Sequence, residues 1–92
     1  MKNQKDLRPL EKTLKALSNK RRLGILSFLK KSGEASVGDI AEDINLSFKA
    51  TSKHLGILFS ADIVERAQRS LQMLYSISAD QSAAAKQILY LL

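Results

Sequence analysis

The residues best suited to bind another molecule are four side chains in one short stretch, Phe48, Lys49, Ser52 and Lys53. Their spacing places all four on one side of a helix. Lysine and serine on such a side can bind phosphates or the edges of bases, and Phe48 can contact a thymine methyl group. The lysines could also be ordinary solvated side chains, and Phe48 could pack against the preceding helix. Together with the preceding Ser47, these residues are the first candidates for a DNA-binding surface.

Nothing in the sequence predicts catalysis. It contains no nucleophile paired with a base, no glycine-rich phosphate loop and no convergent set of carboxylates. The single histidine, His54, could be a ligand or a base, but its place beside the inward side of a helix favours core packing or a hydrogen bond to the backbone. The absence of cysteine excludes disulfides and thiolate metal sites. We therefore predict a protein that is not an enzyme and needs no cofactor.

Two short helices with a tight break between them would position the basic side chains. The apolar spacing predicts a first helix over residues 37–44 and a second over residues 48–60. Ser36 and Ser47 are good N-caps, and Asn45 tolerates the left-handed conformation that often ends a helix. The inward residues of the second helix are Thr51, Leu55 and Leu58. The pattern predicts a helix-turn-helix, which inserts its second helix into a major groove.

The composition is that of a folded, basic protein. Ninety-two residues with 45% apolar side chains suffice for one domain of three or four helices. Fifteen Lys and Arg against nine Asp and Glu give a net charge of +6, which indicates a polyanionic partner, although it could serve solubility alone. Arg21 and Arg22 begin a helix predicted over residues 20–31, where cations are unfavourable, and this hints at an anion contact. The sequence shows no apolar signal region or membrane span, so we expect a cytoplasmic protein.

Leucine-rich helices at both ends of the chain predict a subunit interface. The first helix carries a leucine stripe, and the last, predicted to begin at the N-cap Ser78, ends in Ile-Leu-Tyr-Leu-Leu. A monomer of this size can hardly bury so much apolar surface, and helix-turn-helix proteins that bind duplex DNA are usually twofold dimers. The residues expected in the homodimer interface are Leu7, Leu10, Leu14, Ile88, Leu91 and Leu92.

A β-hairpin is predicted between the helix-turn-helix and the last helix. Its strands are the β-branched and aromatic runs at residues 63–68 and 71–77. Arg66 and Arg69, near its tip, are candidates for contact with a phosphate or a minor groove. The predicted fold class is therefore mainly α with a small β-hairpin wing, in the order ααααββα. This is a winged helix-turn-helix that occupies residues 1–92 as one domain.

Three stretches resemble the ArsR-type repressors of bacteria and archaea. Residues 14–26 are similar to the opening helices of that family, and residues 46–58 to its recognition helix with a Ser-x-His-Leu core. Residues 63–77 have the length of its wing and a similar Tyr-x-x ending. The resemblance covers residues 7–92, and its motifs are specific jointly although each alone is weak. It implies a dimeric repressor that leaves its operator when an effector binds.

The sequence departs from the metal-sensing members of that family. Many of them carry a Glu-Leu-Cys-Val-Cys-Asp-Leu box, whereas residues 34–40 here have Ser36 and Gly38 at the cysteine positions. Others bind zinc through Asp and His on the last helix, which here offers Asp80 and no histidine. Thiolate and imidazole are the ligands that such sensing needs. We therefore predict no metal site.

The preferred interpretation is a sequence-specific, homodimeric transcriptional regulator that binds double-stranded DNA and acts as a repressor. A protein–protein interaction module is the first alternative, with Phe48, Phe59 and the apolar C-terminus as its surface. A binder of RNA or of any nucleic acid without specificity is the second. Alanine at Lys49, Ser52 and Lys53 would abolish duplex binding only if the preferred interpretation holds.

Overall fold

Five helices and three strands make up residues 5–92, the part of the chain that this computed structural model describes. The first four residues of the predicted domain lie outside the described residues. The elements are α1 (Arg8–Leu17), α2 (Lys20–Ser32), β1 (Glu34–Ser36), α3 (Val37–Ile44), α4 (Phe48–Ser60), β2 (Val64–Arg69), β3 (Gln72–Ile77) and α5 (Ala83–Leu91). Among these helices, none is long and apolar enough to cross a membrane.

Capping side chains fix the ends of the central helices. Asn19, Ser36 and Ser47 each accept a hydrogen bond from the backbone N–H three residues later, at 3.0 to 3.2 Å. α2 is followed by Gly33 at φ 85° and α3 by Asn45 at φ 55°, both at positive φ, and Asn45 has the left-handed helical conformation. The predicted bounds of both helices of the helix-turn-helix are therefore confirmed.

The last helix begins later than predicted. Ser82, not Ser78, caps α5, and its hydroxyl oxygen accepts the N–H of Ala85 at 3.2 Å. Ahead of it, the Gln81 side-chain amide donates to the carbonyl oxygens of Ile63 and Ser78 at 2.8 and 2.7 Å. These bonds hold residues 78–81 against the start of β2 as a connection, so the prediction that Ser78 caps the helix is wrong.

The core lies between the central helices and the sheet. α2 contributes three fully buried residues because its apolar positions occupy a broad side of the helix. α3 and α4 pack against α2. α1 and α5 contribute Leu17 and Leu89 to the core. The largest fully buried side chains are Ile25, Leu26, Leu29, Ile40, Leu55, Leu58, Ile63, Val64 and Thr51.

The sheet has three antiparallel strands in the order β1-β3-β2. β1 was not predicted; it pairs Ala35 with Tyr75 at the base of the hairpin. The hairpin is present, and its tip is Ser70 and Leu71 because Arg69 pairs with Gln72. Helices followed by this hairpin form a winged helix-turn-helix, which confirms the predicted fold class and adds one short strand to it.

Candidate nucleic-acid interface

The exposed side of α4 presents two lysines, one serine and one phenylalanine. Burial of Thr51, Leu55 and Leu58 orients the helix and leaves its opposite side in solvent. Phe48 is 63% exposed, so most of its side chain lies in solvent. We call the residues on this side the basic face of α4; they are Phe48, Lys49, Ser52 and Lys53, all of them exposed.

Ser47 adds a second feature at the N-terminus of α4. Its hydroxyl oxygen accepts the N–H of Ala50 at 3.1 Å, and the side chain remains exposed. The hydroxyl hydrogen is still available to donate to an anion. The N-terminus of a helix also attracts negative charge through its dipole and its unpaired N–H groups. Ser47 and the first turn of α4 are therefore suited to bind a phosphate.

The two wing arginines that the sequence singled out contact the protein itself. The guanidinium of Arg66 lies over the ring of Phe59, 4.0 Å from its centroid, and Arg69 Nη1 lies 3.2 Å from Glu34 Oε1. Both arginines are exposed. An exposed ion pair contributes about 0–1 kcal/mol and an exposed cation–π contact about 0.5–1 kcal/mol. A phosphate can therefore replace Phe59 as the partner of Arg66, or Glu34 as the partner of Arg69, at a small cost in free energy.

Arg22 links three helices, which the sequence did not predict. Its Nε donates to the carbonyl oxygen of Ala16 at 2.6 Å and its Nη2 to that of Lys15 at 3.2 Å, so it binds the C-terminal end of α1. Its Nη1 lies 3.1 Å from Nδ1 of His54 on α4. The guanidinium of Arg22 is thus engaged by protein groups, whereas Arg21 is exposed, and the anion contact stays a prediction.

His54 is therefore neither a core residue nor bonded to the backbone. It is half-buried, and Nδ1 accepts the hydrogen bond from Arg22 when the proton is on Nε2. Burial lowers the pKa of His54, and the nearby charges of Arg22, Arg21 and Lys53 lower it further. A lowered pKa keeps the ring neutral at pH 7, which is the state that the bond to Arg22 requires.

The positions that correspond to the metal-sensing box have a structural role here. The hydroxyl oxygen of Ser36 caps α3 through the N–H of Asp39 at 3.2 Å, and Gly38 lies exposed in the first turn. Asp80 lies in the connection before α5, outside that helix. Within residues 5–92, no three side chains of His, Cys, Asp or Glu come together as a metal site would require.

The apolar residues of the terminal helices divide between core and surface. Leu17 and Leu89 are buried, whereas Leu7 is 58% and Leu91 76% exposed. α1 and α5 are in contact with each other. We call the predicted interface residues the terminal apolar face; Leu7, Leu10, Leu14, Leu91 and Leu92 are exposed, and Ile88 is half-buried.

The fold and the exposed basic helix define a winged helix-turn-helix regulator, and comparison with known proteins places the chain within this class. Residues 19–66 match the family described as bacterial regulatory protein, arsR family. The chain is 35% identical over 69 residues to the transcriptional repressor SdpR of Bacillus subtilis, covering 75% of this chain and 76% of SdpR. The protein belongs to the ArsR family of bacterial transcriptional regulators.

Further relatives resemble this chain both in sequence and in structure. The transcriptional activator HlyU of Vibrio cholerae is 34% identical over 77 residues, covering 84% of this chain and 70% of HlyU. Its reduced form superposes with a TM-score of 0.77 at 33% identity, over 91% and 84% of the two chains. A homodimeric winged helix-turn-helix DNA-binding domain from Mycobacterium bovis, a possible ArsR-family regulator, has a TM-score of 0.80 at 29% identity, covering 99% of this chain and 85% of that domain. These relatives are named as regulators of transcription, not as enzymes.

Proposed function

We propose that this regulator is a homodimeric, sequence-specific repressor that binds double-stranded DNA through the basic face of α4. The observation that carries the proposal is the exposure of Lys49, Ser52 and Lys53 on the second helix of a helix-turn-helix whose other side is buried. That arrangement presents short polar and cationic side chains to the width of a major groove.

Each residue of the interface has a separate role in the proposal. Lys49 and Lys53 lie one turn apart and bind guanine edges or phosphates, while Ser52 hydrogen bonds to a base between them. Ser47 donates to a phosphate at the helix N-terminus. Phe48, exposed in the first turn, packs on a thymine methyl group.

The wing arginines hold the DNA backbone beside the recognition helix. Arg69 exchanges Glu34 for a phosphate, because an exposed ion pair is weak and a polyanion offers more charge. Arg66 extends from the ring of Phe59 toward the adjacent strand of the duplex. The Arg66 guanidinium lies over one side of the Phe59 ring, which is 37% exposed, so in the unbound protein this ring offers less of the open apolar surface that the protein–protein alternative needed.

The dimer forms through the terminal apolar face. Leucines on α1 and α5 remain exposed in the single chain, and the Mycobacterium bovis neighbour is a homodimer. A twofold axis through this face would present two basic faces to successive major grooves, about 34–36 Å apart on the duplex. The whole chain, residues 1–92, then acts as one DNA-binding domain in the cytoplasm.

The proposal also states that the protein represses transcription and that it does so without a metal. SdpR is named a repressor and HlyU an activator, so the family itself permits both directions of control. We favour repression, because a small dimer bound to a promoter blocks it by occupancy alone. We favour metal independence, because Ser36 and Gly38 replace the thiolates and the Ser36 hydroxyl caps α3. A reporter gene behind the selected site, read with and without added zinc, tests both statements.

The binding test starts with selection of duplexes from a random pool. The selected duplex and a scrambled one are then titrated with the protein at about 50 and 200 mM salt. We expect a palindromic site, clear preference over the scrambled duplex and a loss of affinity of about 10³–10⁵ between the two salt concentrations. Equal and weak binding of both duplexes would contradict specific recognition.

The variant Lys49→Ala/Ser52→Ala/Lys53→Ala tests the basic face itself. We expect it to lose specific binding while its circular dichroism and sedimentation remain those of the parent. Its matched control also replaces two lysines and one serine, at exposed positions on α2 and α5, and should keep its affinity. The control variant is Lys31→Ala/Ser32→Ala/Lys86→Ala. Unchanged binding by the first variant would overturn the proposal.

A further inference from the structure

A groove with an apolar floor and a cationic rim lies between α1 and the C-terminal half of α4. Its volume is about 420 Å³, within the ~300–1,000 Å³ range typical of small-molecule sites. We propose that it binds a small organic anion with an apolar body, such as a medium-chain carboxylate, and that this ligand weakens DNA binding. The second half of this inference rests on the proposed function.

Cations from three helices surround the groove. Lys12 and Lys15 lie on α1, Arg22 on α2 and Lys53 on α4, and the groove has no acidic residue in its lining. Lys15 is 3.7 Å from the exposed Glu11, and Arg22 is held by its internal hydrogen bonds. Lys12 and Lys53 therefore supply most of the charge that would attract an anion.

Small and apolar residues form the floor and walls between these cations. Ala16 is buried at the base, and Ile57 of α4 and Ala61, which follows that helix, line the side. An alkyl or aryl group placed here would leave water on contact with carbon atoms, while its charged end remained at the rim. The groove therefore matches a ligand with one anionic end and one apolar end.

Gly56 is the feature of the groove that packing within the chain does not explain. Glycine inside a helix costs about 1 kcal/mol relative to alanine. A Cβ at Gly56 would meet nothing within 4 Å, so no neighbouring backbone requires the glycine. The missing side chain opens α4 toward the groove, and this space is what a ligand would occupy.

Lys53 connects the groove to the DNA-binding surface. It lines the groove and also belongs to the basic face of α4. An anion bound beside Lys53 neutralises a charge that the phosphate backbone or a guanine edge would otherwise use. The ligand and the duplex therefore compete for one side chain, and the ligand acts as an inducer.

Octanoate is the probe for the first experiment, and octan-1-ol is its uncharged control. Both are titrated into the ¹⁵N-labelled full chain and followed by amide chemical shifts. We expect saturable octanoate shifts centred on Gly56, Ile57 and Ala61, with octan-1-ol about tenfold weaker because it lacks the charge. Equal affinities for the two probes would overturn an anion site, as would octanoate shifts confined to the terminal apolar face.

Two variants test the location of the site. Gly56→Leu fills the groove at an exposed position and should abolish octanoate binding without lowering Tm. Lys12→Gln removes a rim cation outside the basic face of α4 and should weaken binding about tenfold. Lys86→Gln removes an exposed cation on α5 and should leave the affinity unchanged. Parental affinity in either of the first two variants would overturn the assignment.

A final titration separates this inference from the proposed function. Saturating octanoate should weaken duplex binding by the parent and leave that of Gly56→Leu unaffected. If the parent binds octanoate but no duplex, the ligand site stands and the proposed function fails. If it binds the duplex and octanoate has no effect, the proposed function stands and the inducer site fails.

Discussion

At the scale of single residues, Arg22 links α4 to the N-terminal half of the molecule. Its guanidinium binds two carbonyl oxygens at the end of α1 and the ring of His54 at the same time. Those carbonyls have no partners within their own helix, so Arg22 completes the end of α1 as well. Both effects depend on the planar fork of arginine.

Substitution of Arg22 by lysine keeps the charge and removes the fork. We expect Arg22→Lys to lower the free energy of unfolding by about 1–3 kcal/mol, because hydrogen bonds from a charged group are lost at a half-buried site. Urea denaturation measures this change. Arg21→Lys, one residue earlier and exposed, should stay within about 0.5 kcal/mol of the parent. A similar small change in Arg22→Lys would show that the link is not stabilising.

His54 should make stability depend on pH. The unfolded chain takes up a proton near the ordinary histidine pKa of 6.5, whereas the pKa in the folded protein is lower. The stability contributed by neutral His54 is therefore complete above about pH 6.5 and is lost as the pH falls toward the lowered pKa. The charges that face the ring, on Arg22, Arg21 and Lys53, are all positive, so protonation finds no compensating partner.

The measurement is Tm as a function of pH, for the parent and for His54→Asn. The parent should lose stability between about pH 7 and pH 5, and the variant should show a flatter profile, because asparagine does not titrate. Parallel profiles would exclude His54 as the source of the pH dependence. Lys49→Gln, at an exposed position on the same helix, is the control and should follow the parent.

The sequence predicted which residues share one side of a helix, but it did not predict the contacts between helices. The basic face of α4 follows from spacings of three and four residues, which geometry imposes on any helix. The bond from Arg22 to His54 joins residues 32 positions apart, and no local pattern encodes it. The contact of Glu34 with Arg69 is similar, because it depends on pairing between distant strands.

At the scale of elements, the turn between α3 and α4 controls the angle at which α4 is presented. Asn45 occupies the left-handed region at φ 55°, and its N–H lies 3.3 Å from the carbonyl oxygen of Glu42. Asparagine accepts this conformation more readily than most residues, and β-branched residues resist it. The geometry of the helix-turn-helix therefore depends on one backbone position.

Replacement of Asn45 by valine should destabilise this turn. We expect Asn45→Val to reduce the free energy of unfolding by about 1–2 kcal/mol and to weaken duplex binding in parallel. Asn45→Gly, which adopts the left-handed region without strain, should stay close to the parent. Guanidinium denaturation and duplex titration provide the two readings. Equal stability of the valine and glycine variants would show that the turn relaxes to another conformation.

Elements were predictable where they carry their own local signals. α3 and α4 have serine caps and apolar spacing, and the structure places them at the predicted bounds. β1 has three residues, too few for an alternating pattern, and exists only because β3 pairs with it. Ser78 and Ser82 are equally good caps in sequence, and the bonds made by Gln81 decide between them.

At the scale of the whole molecule, the exposed leucines of α1 and α5 set the expected assembly. Leu10→Glu/Leu14→Glu should convert the proposed dimer to a monomer, because two charges would be buried in an apolar interface. Sedimentation velocity measures the mass. Leu71→Glu, at the 97% exposed tip of the wing, adds charge elsewhere and should leave the mass unchanged. A dimer that persists in the first variant would place the interface on another surface.

The spacing of the apolar residues in α1 and α5 did not predict which of them are buried and which are exposed. Leu7, Leu10, Leu14 and Leu17 share one spacing pattern, yet only Leu17 is buried. Periodicity identifies the side of a helix that is apolar, and the packing of neighbouring elements decides how far along it the core extends. The same holds for α5, where Leu89 is buried and Leu91 is exposed.

The strand order of the wing also bears on how the protein behaves at high concentration. β2 forms one edge of the sheet, and a row of backbone groups along such an edge can pair with a strand from another molecule. Every residue of β2 after Val64 is exposed, and Glu65, Arg66 and Arg69 among them are charged. Charged side chains along an edge oppose the growth of intermolecular sheets. We therefore expect the arginines proposed to hold DNA also to oppose aggregation while no duplex is bound.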